Sequence, residues 1–123
     1  MKFTLFFKED NVVNGAAFSY FIAFRCRQMT LEEFRQTLSS ATPPDGVSNL
    51  LYALWHDGKG NWEEAHNIAQ DIENTDGSWV HAYLHRKEGD EWNAGYWYRR
   101  AGKPSYDGSL DEEWEQLVKH FLK

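Results

Sequence analysis

The hydrophobic period of the chain changes near residue 30. Ahead of that point, Phe3-Thr-Leu-Phe-Phe7 is a short apolar run and Phe18–Arg27 a second one. Between them lies Asn14-Gly15, a dipeptide suited to tight hairpin turns because both central residues need positive φ. This segment predicts a short β-hairpin. From Thr30 onward, apolar residues recur three and four positions apart, the helical spacing. Thr30-Leu-Glu-Glu33 forms a capping box ahead of Leu31, Phe34 and Leu38, and Pro43-Pro44 closes that helix or its loop. A second helix runs from about Gly46 to Asp57, with Val47, Leu50, Leu51, Leu54 and Trp55 on one face, and Gly58 and Gly60 terminate it. Asn61 caps a third helix with the stripe Ala65, Ile68, Ala69 and Ile72. Asn74–Gly77 is expected to be a turn and Ser78–Glu88 a fourth helix, stopped by Gly89. Asp90 caps a fifth, carrying Ala94, Trp97, Tyr98 and Ala101. Ser109-Leu-Asp-Glu112 caps a last helix over 109–122, with Leu110, Trp114, Leu117, Val118 and Phe121 inward.

The expected fold is mainly α: a compact bundle of antiparallel helical hairpins over residues 29–123, with residues 1–28 as a β-hairpin or a dispensable extension. A secretory signal is a third reading of that first segment. Glu9-Asp10-Asn11 interrupts its apolar stretch, and no small-residue cleavage site follows. Met29 directly before the capped helix supports the extension.

An internal repeat runs through the helical part. Ala53 matches Ala82, His56 matches His85, Gly60 matches Gly89 and Ala65 matches Ala94, all 29 residues apart, and Asn61 and Asp90 are equivalent caps. The two units, about 46–74 and 75–104, each read as helix, glycine turn, capped helix. Alanines on facing helices allow close backbone approach, and the glycine releases the chain into a tight turn. Ala82, Gly89, Ala94, Tyr98 and Ala101, with Pro104 following, resemble the small–Gly–small–aromatic–small pattern of tetratricopeptide repeats. Asn93-Ala-Gly-Tyr-Trp-Tyr-Arg-Arg-Ala-Gly102 also resembles the second helix of Sel1-type repeats, and His81–Asp90 resembles a stretch found in small bacterial proteins. The likeness covers residues 46–104. It fades in the first unit, where Ala69 and Ile72 replace the aromatic and the second alanine. It implies paired helical hairpins that act by binding. Two units are fewer than an open array needs, so the first and last helices are expected to cap a closed bundle.

Composition narrows the function. With 13 Lys+Arg against 19 Asp+Glu, a net charge of −6 argues against a nucleic-acid partner. No apolar run approaches a membrane span, which argues against membrane insertion, and a cytoplasmic domain is expected. A single cysteine, Cys26 between two arginines, excludes an internal disulfide and a cysteine-based zinc site. The anomaly is 16% aromatic content, sorted by type: seven of the 8 Phe lie at or before Phe34, and all 6 Trp at or after Trp55.

Two constellations can carry chemistry. His81 and His85 stand at i and i+4 of one helix with Glu88 a further turn along, and His66 or His56 can approach from a neighbouring helix. Neutral imidazoles with a carboxylate suit a divalent metal, the one cofactor the sequence offers. The spacing is not His-Glu-x-x-His, so it includes no built-in general base. The simpler reading has the histidines hydrogen-bonded to Tyr98, Asn93 or backbone carbonyls. The second constellation is a basic, aromatic face. Arg86, Lys87, Arg99, Arg100 and Lys103 place five of the 13 cations within 18 positions, and Trp92 and Tyr96 share a helix side with Arg99. Arginine with exposed aromatics suits a peptide, protein or anionic small ligand, with Arg86, Trp92, Tyr96, Arg99 and Arg100 as its contacts. The alternative pairs Arg99 and Arg100 with acids and packs the last helix over Trp92 and Tyr96. Asp57-Gly-Lys-Gly60 precedes a helix and can hold an anion, but lacks the ending of a phosphate loop. None of the serines, Ser78 included, has the Gly-x-Ser-x-Gly context of a nucleophile. The leading reading is therefore a non-enzymatic binding module. A metal-dependent enzyme using His81, His85 and Glu88 is the alternative, and a structural homodimer burying the aromatic face is a third.

Overall fold

The computed structural model describes residues 28–123, so the predicted hairpin and Cys26 lie outside it. Those residues form six α-helices: α1 Leu31–Gln36, α2 Asn49–Gly58, α3 Trp62–Gln70, α4 Thr75–Lys87, α5 Glu91–Ala101 and α6 Leu110–Leu122, with a 3-10 turn Thr37–Ser39 after α1. No strand occurs among the described residues. None of these helices is long and apolar enough to cross a membrane.

The predicted caps form. Thr30 and Ser109 each close a reciprocal box with Glu33 and Glu112. The two repeat units share one turn. In the first, Gly60 takes φ +87° and the Asn61 N–H donates to the His56 carbonyl at 2.8 Å. In the second, Gly89 takes φ +91° and the Asp90 N–H donates to the His85 carbonyl at 2.9 Å. The 29-residue sequence offset is therefore a repeat of backbone geometry as well. Two boundaries differ from expectation. Helix α2 starts at Asn49 with Ser48 as its cap. Asn74–Gly77 is not a free turn: Asn74 caps α4, accepting from the Gly77 N–H at 2.7 Å, and the helix begins at Thr75. Gly77 is needed because the chain folds back there. A Cβ at this position would stand 1.9 Å from the Ile72 carbonyl oxygen.

Helices α2 and α3 pair, α4 and α5 pair, and α3 lies against α4. Helix α6 returns across α1, α2 and α4 and closes the bundle. Ala53, Ala65, Ala82 and Ala94 are all buried, which lets these helices approach closely. Tryptophans tie elements together through their indole N–H groups: Trp55 to the Thr37 carbonyl (3.2 Å), Trp62 to Leu84 (2.7 Å) and Trp114 to Leu54 (2.9 Å). Three of the 6 tryptophans thus serve as cross-links with a large apolar body and one directed donor.

Helix α4 is the centre. Gly77–His85 are all buried, more than two full turns, so every face of the helix is covered. Its exit carries two cations that meet two buried acids. Lys87 Nζ reaches Asp57 of α2 at 2.8 Å, and Arg86 reaches Glu113 of α6 at 2.9 Å. Each carboxylate also accepts a tyrosine hydroxyl, Tyr83 on Asp57 at 2.7 Å and Tyr98 on Glu113. Burial pushes Glu113 above the usual carboxylate range, and the Tyr98 and Arg86 hydrogen bonds oppose it.

Gly77→Ala should lower unfolding free energy by about 3 kcal/mol, because backbone must move to admit the methyl group. Gly95→Ala, whose new Cβ would meet only Arg99 Nη1 at 3.5 Å, should raise it by about 0.8 kcal/mol through helix propensity. Urea denaturation of both variants measures the contrast.

Candidate functional site

The contact between α3 and α4 gathers three histidines. His66 projects from α3, and His81 and His85 lie one turn apart on α4. Their ring centroids form a near-equilateral triangle: 4.7 Å for His66–His81, 5.1 Å for His66–His85 and 4.8 Å for His81–His85. One nitrogen of each ring lies within 4.8 Å of the others. His66 Nε2 and His81 Nε2 stand 3.0 Å apart, which requires one ring to donate and the other to accept. His85 Nδ1 is 2.8 Å from Glu88 Oε2. The carboxylate only accepts, so Nδ1 of His85 carries the hydrogen and Nε2 is the nitrogen left for another partner.

Burial sets the protonation state. The His81 ring is held down to about 4, first by desolvation and then by the neighbouring His66 and His85. His66 also lies below 6.5, first through burial and then through His85, while Glu88 pulls the other way. Both rings are therefore neutral at pH 7, the form that ligates metals. Two nitrogens bound to one ion at about 2.1 Å are about 3.0–3.4 Å apart for octahedral or tetrahedral angles, which brackets the His66–His81 spacing. A second group, His85, Glu88 and Asp90, is also close enough for a cation, but its oxygens have other work. Asp90 caps α5 on the Asn93 N–H and holds the Asn93 amide at 2.9 Å.

Two tryptophans wall the cluster. Trp62 stacks on His66 with centroids 4.8 Å apart and planes 14° from parallel, and Trp97 stacks on His81 at 4.0 Å. The helical stripe of α5 places Trp97 on its core side, and the sequence pattern puts neither tryptophan against the histidines. Trp62 and His66 are four residues apart on one helix, so that pair was available from spacing. Trp97 reaches α4 from α5, and no within-helix rule predicts such a contact. Beside His81 the surface opens into a cleft of about 250 Å³, lined by residues including Gln70, Glu73, Ser78, Trp97 and Arg100.

Of the predicted metal set, His66, His81, His85 and Glu88 come together and His56 does not. His56 is half-buried, edge-on to Trp55 at 5.2 Å. The simpler pairing of the histidines with Tyr98 is not formed, because the Tyr98 hydroxyl goes to Glu113. Of the predicted ligand face, Trp92, Tyr96, Arg99 and Arg100 are exposed together on α5. Arg86 lies apart from them. It donates to Glu113 and the Gly108 carbonyl and stands over the Tyr106 ring at 5.5 Å. Helix α6 does not pack over Trp92, which is 77% exposed, and the Asp111–Glu113 turn serves Arg86, not Arg99 or Arg100. Arg100 stands over Tyr96 and Trp97 at 5.8 and 5.4 Å. The Asp57–Gly60 turn holds no free cation, since Lys59 donates to the Leu38 and Ser40 carbonyls at 2.7 and 2.8 Å. No protein-family model, curated protein or solved structure matches the chain.

The depressed His81 ring makes stability depend on pH. Between about 4 and 6.5 the unfolded chain binds a proton that the folded ring refuses. Stability should therefore fall by roughly 3 kcal/mol from this group as pH drops through that window, and no further below it. His81→Phe, which keeps the stack on Trp97, should flatten this dependence in denaturation midpoints measured from pH 7 to pH 4.

Proposed function

We propose that this chain is a helical-repeat binding module of tetratricopeptide or Sel1 type whose ligand is a divalent transition-metal ion held by His66, His81 and His85. The observation that carries this reading is the convergence of three imidazoles from two helices, with nitrogens within 4.8 Å of one another. Three further features support it. The depressed His81 and His66 rings are in the ligating form, Glu88 orients His85 from behind, and Trp62 and Trp97 restrict ring rotation. Three imidazoles suit zinc, nickel, copper or iron(II), and leave a coordination position for water or a small ligand.

Calorimetric titration with Zn²⁺ or Ni²⁺ should give one site per chain, with a rise in melting temperature. His66→Ala and His81→Ala should each weaken binding by about 100-fold or more, and His56→Ala should leave it unchanged. No heat of binding from either ion in the wild-type chain rejects the reading.

A second reading rests on the 77% exposure of Trp92. An aromatic side chain this bare, beside Tyr96 and Arg99, suits contact with an anionic peptide. A glutamate-rich peptide should then change tryptophan fluorescence, and Trp92→Ala with Arg99→Ala should abolish the change.

A further inference from the structure

The cleft beside His81 has its own polar equipment, independent of the three imidazoles. Ser78 on its wall is only 7% exposed, and its hydroxyl has no hydrogen-bond partner among the described residues. A buried polar group without a partner is rare in folded proteins and calls for an explanation. Arg100 lines the same cleft. Its guanidinium donates once, to the Tyr96 hydroxyl at 3.2 Å, and retains its other N–H groups. Trp97 adds an apolar surface to the lining.

We propose that this cleft binds a small monocarboxylate, with Arg100 and the Ser78 hydroxyl as donors. The ligand lies next to the histidine centre, and the inference rests on the metal reading above for its second anchor. Charge and size select the class. Glu73 also lines the cleft, so the formal charges of Glu73 and Arg100 cancel before the ion arrives. In the metal-free cleft that balance favours a single negative charge over two. A guanidinium matches a planar carboxylate with two parallel hydrogen bonds. A volume of about 250 Å³ lies below that of most drug-sized sites, so the ligand has few heavy atoms.

Acetate titrated into the full chain loaded with Co²⁺, followed by the visible absorption of the ion, tests this. Acetate should alter the spectrum of the wild-type protein. Arg100→Met should raise the apparent Kd for acetate by about tenfold or more while leaving Co²⁺ affinity unchanged, and Ser78→Ala should raise it about threefold. An unchanged acetate affinity in Arg100→Met overturns the proposal, as does tighter binding of inorganic phosphate than of acetate to the metal-free chain. If the chain takes up no Co²⁺, the metal reading fails separately. Acetate is then added to the metal-free chain and followed by the nuclear magnetic resonance signals of Ser78 and the Trp97 indole. Shifts that vanish in Arg100→Met retain the carboxylate cleft, and their absence overturns it.

Discussion

Everything in this bundle depends on burying α4 on all sides. Nine consecutive residues, Gly77–His85, are removed from water, and two of them are histidines. A helix covered all round cannot send polar side chains outward, so all of them except Ser78 find partners within the protein. His81 and His85 find His66 and Glu88, Tyr83 finds Asp57, and at the helix exit Arg86 and Lys87 neutralise Glu113 and Asp57. Apart from Glu88, which directly follows α4, these partners come from α2, α3 and α6. The same demand that gathers the imidazoles therefore also fixes the position of three other helices. Removing one member of such a buried pair is far more costly than replacing both, which gives the arrangement its specificity.

The repeat explains why the cluster exists once. His56 and His85 are equivalent in sequence, and their carbonyls accept equivalent N–H groups from Asn61 and Asp90. Their side chains have different surroundings. His85 meets His66 on α3, the second helix of the preceding unit. His56 belongs to the first repeat unit, so no repeat helix stands in the corresponding place, and its ring packs on Trp55 instead. A histidine cluster thus arises at the junction of the units, from an element shared by both and residues particular to each.

Much of this was legible in the sequence, for a physical reason. Caps, glycine turns and helical stripes are local, and Thr30, Asn61, Asp90 and Ser109 all act as local rules require. The sequence pattern starts α4 at Ser78 instead of Thr75, because Asn74 looks like a turn residue whether or not a helix follows it. Three of the site's groups, His81 and His85 and the Glu88 that orients His85, are visible together because helix periodicity sets their face. His66 over His56 could not be chosen from spacing, since the choice depends on which helix packs on which. Trp97 and Ser78 escaped for the same reason. The role of Arg86 was hidden by its sequence neighbourhood, because its partner Glu113 is 27 residues away on α6. The aromatic excess divides accordingly: some tryptophans are helix-to-helix ties, two wall the histidines, and Trp92 alone among the six is left largely bare.

The central claim is that His66, His81 and His85 act as one ligand set. X-ray absorption at the zinc edge, on the full chain loaded with one equivalent of zinc, tests it most directly. Three imidazole nitrogens at about 2.0–2.1 Å, with the outer-shell scattering of histidine rings, are predicted. A first shell of oxygens without imidazole scattering would contradict the account, and would leave the three rings as a packed aromatic cluster at the heart of α4.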